Sequence, residues 1–315
     1  MKLIIQIPCY NEEFTLSATY NQLPKEIPGV DIIEYLIIND GSSDNTVKTA
    51  LALGFHHIVS FKRNKGLARG FMAGLDAALS LGADIIVNTD ADNQYCGLDI
   101  EKLVRPILDG TADIVIGERP IDQTTHFSAV KKKLQRLGSF VVRTLSNTFI
   151  PDAPSGFRAY SREAALSLNV INEYTYTLET IIQAGHNKIA ITSVPIRTNP
   201  ETRKSRLFKS MWSYIRRSAS IIIRAFLMYK PLKFFSILAV ILFVPGLVTV
   251  VRFLFYFFTG NGGGHVQSLV IAAILIILSV QCGLAGLQAD IIAANRKILE
   301  ELQYRARKND ADRKA

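Results

Sequence analysis

The sequence has few cysteines and lacks a dinucleotide-binding fingerprint. Only Cys9, Cys96 and Cys282 occur among 315 residues. They are too few and too scattered for a disulfide framework or a CxxC metal site. The first apolar run leads into "IPCYNEE" and not into G-x-G-x-x-G, which disfavours a nicotinamide-dependent dehydrogenase.

The N-terminus also lacks the features of a secretory signal. "MKLIIQIPCYNEE" is apolar only briefly before Pro8, and two acids follow. A signal peptide needs a longer apolar stretch and a small-residue cleavage site. We therefore expect the N-terminal domain to remain in the cytoplasm.

Two long apolar runs lie near the C-terminus. Residues 234–258 contain one charged residue, Arg252, and residues 266–289 contain no Asp, Glu, Lys, Arg or His. Each exceeds the roughly 20 residues that a membrane-spanning helix needs. The alternative is a pair of buried core helices. We predict two transmembrane helices within residues 233–290, followed by a C-terminal helix and tail over 291–315 that frays after Arg305.

Positive charge predicts the orientation of these spans. Lys and Arg flank them on the outer sides, whereas the connecting "TGNGGGH" has neither; the flanking residues are Lys230, Lys233, Arg296, Lys297, Arg305 and Arg307. Loops rich in Lys and Arg stay in the cytoplasm. Both termini are therefore expected there.

The first 200 residues alternate short β-rich runs with helical patterns. The runs are "KLIIQIP", "EYLIIND", "HHIVSF", "DIIVNTD", "DIVIGER" and "KIAITSVPI". This rhythm predicts an α/β domain over residues 1–200 with a mostly parallel sheet, whose ligands bind at the carboxyl ends of the strands. Gly54, Gly82 and Gly185 each follow a helical pattern, as left-handed caps do.

The run "IIVNTDADNQY" ends in Asp90, Asp92 and Gln94 at a strand's carboxyl end. One interpretation is an Asx turn, in which the acids bond their own backbone. A calcium loop with Glu101 at its twelfth position is a second interpretation, but Tyr95 replaces the obligatory glycine. The third is a divalent metal that bridges to a diphosphate through oxygen ligands.

Other strand ends are also polar. Asp40 ends the second strand before a glycine turn, where it is either a ligand-side acid or a helix cap. A basic loop around Gly66 and Gly70 suits an anionic ligand; its cations are Lys62, Arg63, Lys65 and Arg69.

In combination, "PCYNEE", "NDGSSDNT", "GLARG" and "DADNQY" resemble the family 2 glycosyltransferases, which have the GT-A fold. The resemblance spans residues 1–198. It implies a nucleotide-sugar pocket, Mg2+ or Mn2+ held by Asp90 and Asp92, and Gln94 at a further metal-side position found in dolichyl-phosphate mannose synthases. With the basic loop, the expected pocket residues are Pro8, Tyr10, Glu12, Asp40, Lys65, Arg69 and Asp90.

A strongly basic segment precedes the spans. Residues 203–233 carry nine Lys or Arg and no acid, and their spacing predicts an amphipathic helix with one basic face. Residues 127–145 repeat this pattern. Sheet-covering helices are the alternative, but a juxtamembrane helix over 201–232 suits the membrane interface. The expected partner is therefore a membrane and not a nucleic acid.

We expect an enzyme held at the membrane interface to use an acceptor that is itself in the bilayer. A polyisoprenyl phosphate is such an acceptor, because its chain lies in lipid and its phosphate can bind Arg and Lys. "DAPSGFRAYSREA" resembles the Asp-x-x-Ser-Gly-Phe-Arg segment of bacterial polyisoprenyl-phosphate glycosyltransferases, which form oligomers and so imply a homo-oligomer, a tetramer. The resemblance makes Asp152 a catalytic base or an acceptor-side carboxylate; a turn between two prolines is the alternative. The expected clamp on the acceptor phosphate is Arg119, Arg203, Lys204 and Arg206.

The expected reaction is an inverting displacement, with Asp92, Asp152 and Arg119 as its catalytic residues. An acceptor phosphate is largely dianionic at neutral pH and needs little deprotonation. A processive polysaccharide synthase is disfavoured because the sequence lacks Gln-x-x-Arg-Trp and further spans. A catalytically inactive, membrane-anchored scaffold is the non-enzyme alternative.

Overall fold

The structure, a computed structural model, describes residues 1–120, 142–143, 146, 148–170, 176–200, 216, 220, 223–224, 226–260 and 266–314. The chain forms two compact units. The first comprises Met1–Ala219 with Glu300–Ala315, and the second comprises Ser220–Leu299. Most of the amphipathic segment 127–145 and most of 203–233 lie outside the described residues, and Arg203, Lys204 and Arg206 are among those not described.

A seven-stranded sheet forms the centre of the first unit. Its strands, in chain order, are β1 Lys2–Cys9, β2 Ile32–Asn39, β3 His57–Ser60, β4 Ile85–Asn88, β5 Ile114–Glu118, β6 Arg158–Ser161 and β7 Ile191–Pro195. The spatial order is β3-β2-β1-β4-β6-β5-β7. β6 runs antiparallel to β4 and β5, and the other pairings are parallel. The predicted mostly parallel sheet is confirmed.

Helices follow most strands and cover the sheet. They are α1 Leu16–Asn21, α2 Thr46–Leu53, α3 Leu67–Ser80, α4 Ile100–Leu108, α5 Arg162–Ser167 and α6 Thr177–His186. Most apolar residues of β1, β2 and β4 are buried between these layers, whereas Ile32 at the start of β2 is exposed. The carboxyl ends of the parallel strands therefore share one edge of the sheet, where the polar loops meet.

Strand β6 was not predicted from the sequence. Its four residues are "RAYS", and Arg158, Ala159 and Tyr160 are all fully buried. The run is short and begins with a charged residue, so it lacks the alternation that indicates a strand.

Two of the three predicted glycine caps are confirmed. Gly54 and Gly82 have φ of 82° and 79°, in the left-handed region that suits glycine. The prediction for Gly185 is wrong, because this residue lies inside α6. A β-carbon there would lie 1.9 Å from the Ser146 carbonyl oxygen, so close backbone approach explains this glycine.

The C-terminal residues are helical, which corrects the predicted frayed tail. Helix α8 runs from Val266 to Lys314, and its last turns belong to the first unit. There, Arg307 Nη2 lies 2.7 Å from Asp76 of α3. The Tyr304 hydroxyl donates to Glu163 of α5 at 2.6 Å. These contacts anchor the end of α8 to the helices behind the sheet.

The second unit consists mainly of α7 Pro231–Phe258 and the first part of α8. The two helices run antiparallel, with the Ser279 hydroxyl donating to the Ala239 carbonyl at 2.9 Å. Only 6% and 17% of their most apolar windows are buried. Core helices would be covered, so the exposed apolar side chains favour the predicted membrane spans.

Candidate active site

The loops after β1 and β2 are linked to each other. The Asn11 side chain accepts a hydrogen bond from the Ser43 backbone at 2.8 Å. The backbone N–H of Glu12 donates to the Thr46 hydroxyl at 2.8 Å. Pro8 lies near the end of β1, and Tyr10 beyond it is exposed. The structure thus places the predicted Pro8, Tyr10 and Glu12 together at the sheet edge.

Asp40 shapes the basic loop. Its Oδ1 accepts from the backbone N–H of Lys65 at 2.6 Å, and its Oδ2 accepts from that of Gly66 at 2.9 Å. Gly66 immediately precedes α3, so Asp40 stabilises the start of α3 and not the helix that follows its own strand. A β-carbon on Gly41 would lie 2.5 Å from the Arg63 backbone, which explains that glycine.

The basic side chains of this loop face solvent. Lys62, Arg63, Lys65 and Arg69 are exposed, and Lys65 Nζ lies 4.6 Å from the centre of the Phe61 ring. Backbone N–H groups at the start of α3 add partial positive charge at the same place. The loop therefore presents positive charge to solvent at the edge of the sheet.

The Asp90–Gln94 loop follows β4 at the same edge. Asp92 Oδ1 accepts from the Gln94 backbone N–H at 3.1 Å, so the Asx-turn interpretation holds for Asp92. Glu101 instead pairs with Arg105 on the exposed side of α4 at 3.3 Å. The calcium-loop interpretation therefore does not fit.

The donor atoms at this loop suit Mg2+ or Mn2+. Asp90, Asp92 and Gln94 offer carboxylate and amide oxygens, and all three are partly accessible. Across the described ranges, no three His, Cys, Asp or Glu side chains gather as a ready-made cluster. Mg2+ is typically held by one or two carboxylates, with substrate phosphates completing the coordination. The residues present fit such a shared site.

Arg119 and Asp152 form a buried ion pair. Arg119 Nε and Nη2 donate to Asp152 Oδ2 and Oδ1 at 2.7 and 2.9 Å, and the Arg119 backbone N–H adds a third bond at 3.2 Å. Asp152 is fully buried, whereas 14% of the Arg119 side chain is exposed. Two predicted site residues thus meet in a bidentate pair, and the carboxylate is committed to the arginine.

The guanidinium of Arg119 stays protonated. Burial alone would lower the pKa of its guanidinium, but the nearby Tyr95 and Asp152, the hydrogen bonds to Asp152, and Asp90 together raise the pKa above its usual value. Arg119 is therefore a permanent cation in this site, because its pKa rises further above neutrality.

Tyr95 connects the acidic loop to the Asp152 loop. Its hydroxyl accepts from the Gly156 backbone N–H at 3.1 Å, and its ring stacks on Phe157 with centroids 5.0 Å apart. Burial raises the pKa of Tyr95 to about 12. A β-carbon on Gly156 would lie 3.3 Å from Asp90 Oδ1. The two loops are therefore in direct contact.

A buried polar network under these loops was missed from the sequence. Asn88 Nδ2 donates to the Gly156 carbonyl at 2.9 Å and to the Tyr176 hydroxyl at 2.8 Å. Arg158 donates to carbonyls of Ala153, Ser155 and Thr177 and to the Thr180 hydroxyl, all within 2.9 Å. The "SGFR" arginine therefore holds the Asp152 loop in place.

Comparison with known proteins identifies the family. The model for "Glycosyl transferase family 2" matches residues 4–168. The chain is 33% identical over 217 residues to the UDP-N-acetylglucosamine--dolichyl-phosphate N-acetylglucosaminyltransferase of Methanococcus voltae, covering 61% of this chain and 83% of that protein. It is 27% identical over 206 residues to the polyprenol monophosphomannose synthase of Mycolicibacterium smegmatis, covering 62% of this chain and 76% of that protein.

The fold also matches a solved structure. The glucosyl-3-phosphoglycerate synthase of Mycobacterium tuberculosis, in complex with Mn2+, UDP and phosphoglyceric acid, superposes with a TM-score of 0.56. The two share 20% identity, and the match covers 72% of this chain and 77% of that one. This likeness confirms the predicted GT-A fold. With the family match and the acidic loop at the sheet edge, it shows that the chain belongs to glycosyltransferase family 2.

Proposed function

We propose that this protein transfers a sugar, with inversion, from a UDP- or GDP-linked donor to a polyisoprenyl phosphate of the undecaprenyl or dolichyl type. The observation that carries the proposal is the contact between the acidic loop and the loop of the Arg119–Asp152 pair. One loop offers metal ligands for a diphosphate, and the other offers a fixed cation for a second phosphate. The names of the relatives in Methanococcus voltae and Mycolicibacterium smegmatis support a polyprenyl acceptor.

Asp90, Asp92 and Gln94 would hold Mg2+ or Mn2+ on the donor side. When bound, such a metal neutralises charge on the departing nucleoside diphosphate. The basic loop supplies further positive charge, because Lys65 and Arg69 are exposed at the start of α3. Pro8, Tyr10, Glu12 and Asp40 shape the nucleotide pocket in this proposal, with Asp40 acting through the backbone of the basic loop.

Arg119 positions the acceptor. Its Nε and Nη2 are used on Asp152, and Nη1 is the nitrogen we assign to the acceptor phosphate. Arg203, Lys204 and Arg206 complete the clamp. A charged guanidinium held by a carboxylate is pre-organised for a phosphate, so little ordering is needed when the acceptor binds.

The chemistry needs no protein base. A phosphate oxygen of the acceptor attacks the anomeric carbon as the bond from that carbon to the donor diphosphate breaks. The electron pair of that bond leaves with the nucleoside diphosphate. A phosphate dianion is already deprotonated near pH 7, and Asp152 is bound to Arg119 on both oxygens. We therefore assign Asp152 to orienting Arg119 and not to removing a proton.

A donor and acceptor panel tests the proposal. Full-length protein in detergent micelles would be incubated with undecaprenyl or dolichyl phosphate, MnCl2 and one of UDP-N-acetylglucosamine, UDP-glucose or GDP-mannose. We expect one donor to give a lipid-linked sugar whose formation stops when EDTA is added. If every pairing yields neither transfer nor hydrolysis, the inactive-scaffold alternative is correct.

We further propose a homo-oligomeric, tetrameric membrane protein whose catalytic unit and both termini are cytoplasmic. The anchoring of Arg307 on Asp76 supports a common side for the C-terminus and the catalytic unit. Single cysteines at positions 263 and 313, introduced into a variant without the native cysteines, would be labelled in intact cells by an impermeant maleimide. We expect labelling at 263 alone, and labelling at 313 alone would reverse the topology.

A further inference from the structure

Asn199 binds the backbone of the acidic loop at several points. Its own backbone N–H donates to the Gln94 carbonyl at 2.8 Å. Its side-chain Nδ2 lies 3.0 Å from the Asn93 carbonyl oxygen and 3.3 Å from that of Tyr95. The same nitrogen donates to Gln22 Oε1 at 2.9 Å. Asn199 therefore contacts the carbonyl oxygens of three consecutive loop residues, that of Gln94 through its backbone and those of Asn93 and Tyr95 through its side chain.

Asp92, a residue of the acidic loop, also fixes the backbone of that loop. Asp92 Oδ1 accepts from the Gln94 N–H, whereas Asn199 takes the Gln94 carbonyl. Asn93, between them, has φ of 57°, a left-handed conformation that costs less for Asn than for most residues but still needs support. Both the N–H and the C=O of Gln94 are thus hydrogen-bonded, the C=O by the backbone of residue 199, whereas the neighbouring carbonyls of Asn93 and Tyr95 are bonded by the Asn199 side chain.

Asn199 belongs to a segment that runs beside the loop. Tyr95 and Thr198 form an antiparallel bridge, and the Cys96 N–H donates to the Arg197 carbonyl at 3.3 Å. The Arg197 side chain pairs with Asp99, which lies beyond the acidic loop, at 2.8 Å. The segment therefore has a part that touches the acidic loop and a part that does not.

We infer that Asn199 is a positioning residue for the metal site, because it sets the backbone from which Asp92 and Gln94 project. The inference rests on the proposed function of that loop. Asn199 need not touch metal or substrate. Its amide offers two N–H groups to carbonyl oxygens, and an alanine would leave those oxygens to water and allow the turn to relax.

The test measures metal affinity directly. Binding of Mn2+ to the full-length protein would be followed by electron paramagnetic resonance of the free ion, without donor or acceptor. We expect Asn199→Ala to raise the Mn2+ Kd about tenfold, since outer partners of metal ligands typically account for 10–100-fold in affinity. Gln22→Ala, which removes one contact that orients the Asn199 amide, should raise the Kd by a smaller factor.

Arg197→Ala is the matched control. It removes the contact to Asp99 in the same segment and should lower the melting temperature without changing the Mn2+ Kd. If Asn199→Ala binds Mn2+ as the wild type does, or if Arg197→Ala weakens binding equally, Asn199 has only a structural role and the inference is overturned.

Asp92→Asn separates this inference from the function on which it rests. If the wild type and Asp92→Asn bind Mn2+ alike, the proposed metal site is wrong and the inference fails with it. Loss of Mn2+ binding in Asp92→Asn, together with unchanged binding in Asn199→Ala, overturns the role of Asn199 alone.

Discussion

The two sides of the candidate site, which we propose bind the sugar donor and the acceptor phosphate, use carboxylates differently. On the donor side, Asp40 and Asp92 accept hydrogen bonds from backbone N–H groups of the loops that they shape. On the acceptor side, Asp152 is buried against the guanidinium of Arg119. The donor-side acids hold their loops through hydrogen bonds, which an uncharged amide oxygen can partly reproduce, so their contribution to the fold does not depend on their charge. The acceptor-side acid acts through charge, which an uncharged amide cannot reproduce.

This difference predicts opposite outcomes for the same chemical change. Asp→Asn keeps one side-chain oxygen and removes the negative charge. On the donor side the turn should survive while any function that needs the charge is lost. On the acceptor side a buried cation should be left without its counter-charge, which is costly in itself.

The largest effect is expected for Asp92→Asn. The amide oxygen can still accept from the Gln94 N–H, so the Asx turn remains, but a charged metal ligand is lost. We expect transfer to fall at least about a thousandfold, which corresponds to roughly 4 kcal/mol of transition-state stabilisation. The measurement is the initial rate of lipid-linked sugar formation with saturating Mn2+. Turnover close to that of the wild type would contradict the site assignment.

The melting temperature serves as the control for Asp92→Asn. Because the loop lies at the edge of the sheet and its turn is retained, the variant should melt within a few degrees of the wild type. A large drop would mean that the acid stabilises the fold, and the comparison between the two sides would fail.

Asp152→Asn should destabilise the protein most. Arg119 would keep a neutral oxygen acceptor but lose its buried counter-charge, and breaking such a pair typically costs about 3 kcal/mol or more. Chemical unfolding in detergent, followed by circular dichroism, measures this loss.

Kinetics of Asp152→Asn then distinguish the positioning role from a base. A misoriented Arg119 raises the acceptor KM and leaves the shape of the pH profile unchanged. Loss of a base would instead remove the acidic limb of the kcat/KM profile. The second pattern would contradict our assignment.

The sequence predicted the local features of the fold well. Six of the seven strands coincide with the apolar runs found in the sequence. The runs are most continuous in the central strands, because burial between two helical layers requires apolar residues on both faces. Asp90 and Asp92 were located by their position at a strand end. Strand β6 was not predicted because its first residue, Arg158, is charged yet buried. Arg158 donates hydrogen bonds to backbone carbonyls, and the local sequence pattern does not indicate these bonds.

The contacts that complete the site join distant residues. Arg119 and Asp152 were both predicted as site residues, but their pairing spans 33 positions. Asn199 contacts the loop 106 positions before it. Such contacts depend on the order of the strands in the sheet. In this sheet β6 lies between β4 and β5, although it follows both in the sequence. Periodicity in one sequence does not contain this information.

A smaller effect is expected from Arg203→Ala combined with Arg206→Ala. If these residues grip the acceptor phosphate, each lost charge-assisted bond should raise the acceptor KM about tenfold, non-additively. Donor affinity should change little. Steady-state kinetics in micelles with varied undecaprenyl phosphate measures the effect. Arg105→Ala, which removes a partly exposed arginine of α4, is the control. An unchanged acceptor KM and kcat would indicate that the basic segment only attracts anionic lipid.

The smallest effect is expected where the two sides touch, at Tyr95. Phenylalanine would keep the stacking on Phe157 but leave the Gly156 N–H without its acceptor. A lost hydrogen bond of this kind costs about 1 kcal/mol of unfolding free energy. Activity should fall only a few-fold, since Arg119 and Asp92 keep their own supports.

The pH dependence of Tyr95→Phe gives a sharper test. Burial raises the pKa of Tyr95 to about 12, whereas a tyrosine in the unfolded chain ionises near pH 10. Below pH 10 the Tyr95 phenol is protonated in both the folded and the unfolded wild type. The unfolding free energy of the wild type should therefore exceed that of the variant by a constant amount. Between about pH 10 and 12 the unfolded wild type ionises first, and its stability falls by up to roughly 1.4 kcal/mol per pH unit. The difference in unfolding free energy between the wild type and Tyr95→Phe should therefore vanish near pH 11. Other tyrosines do not contribute to this difference, because they are present in both proteins. Unfolding free energies from denaturant titrations between pH 8 and 11 measure the difference, and a difference that stays constant to pH 11 would show that Tyr95 is not buried as a neutral phenol.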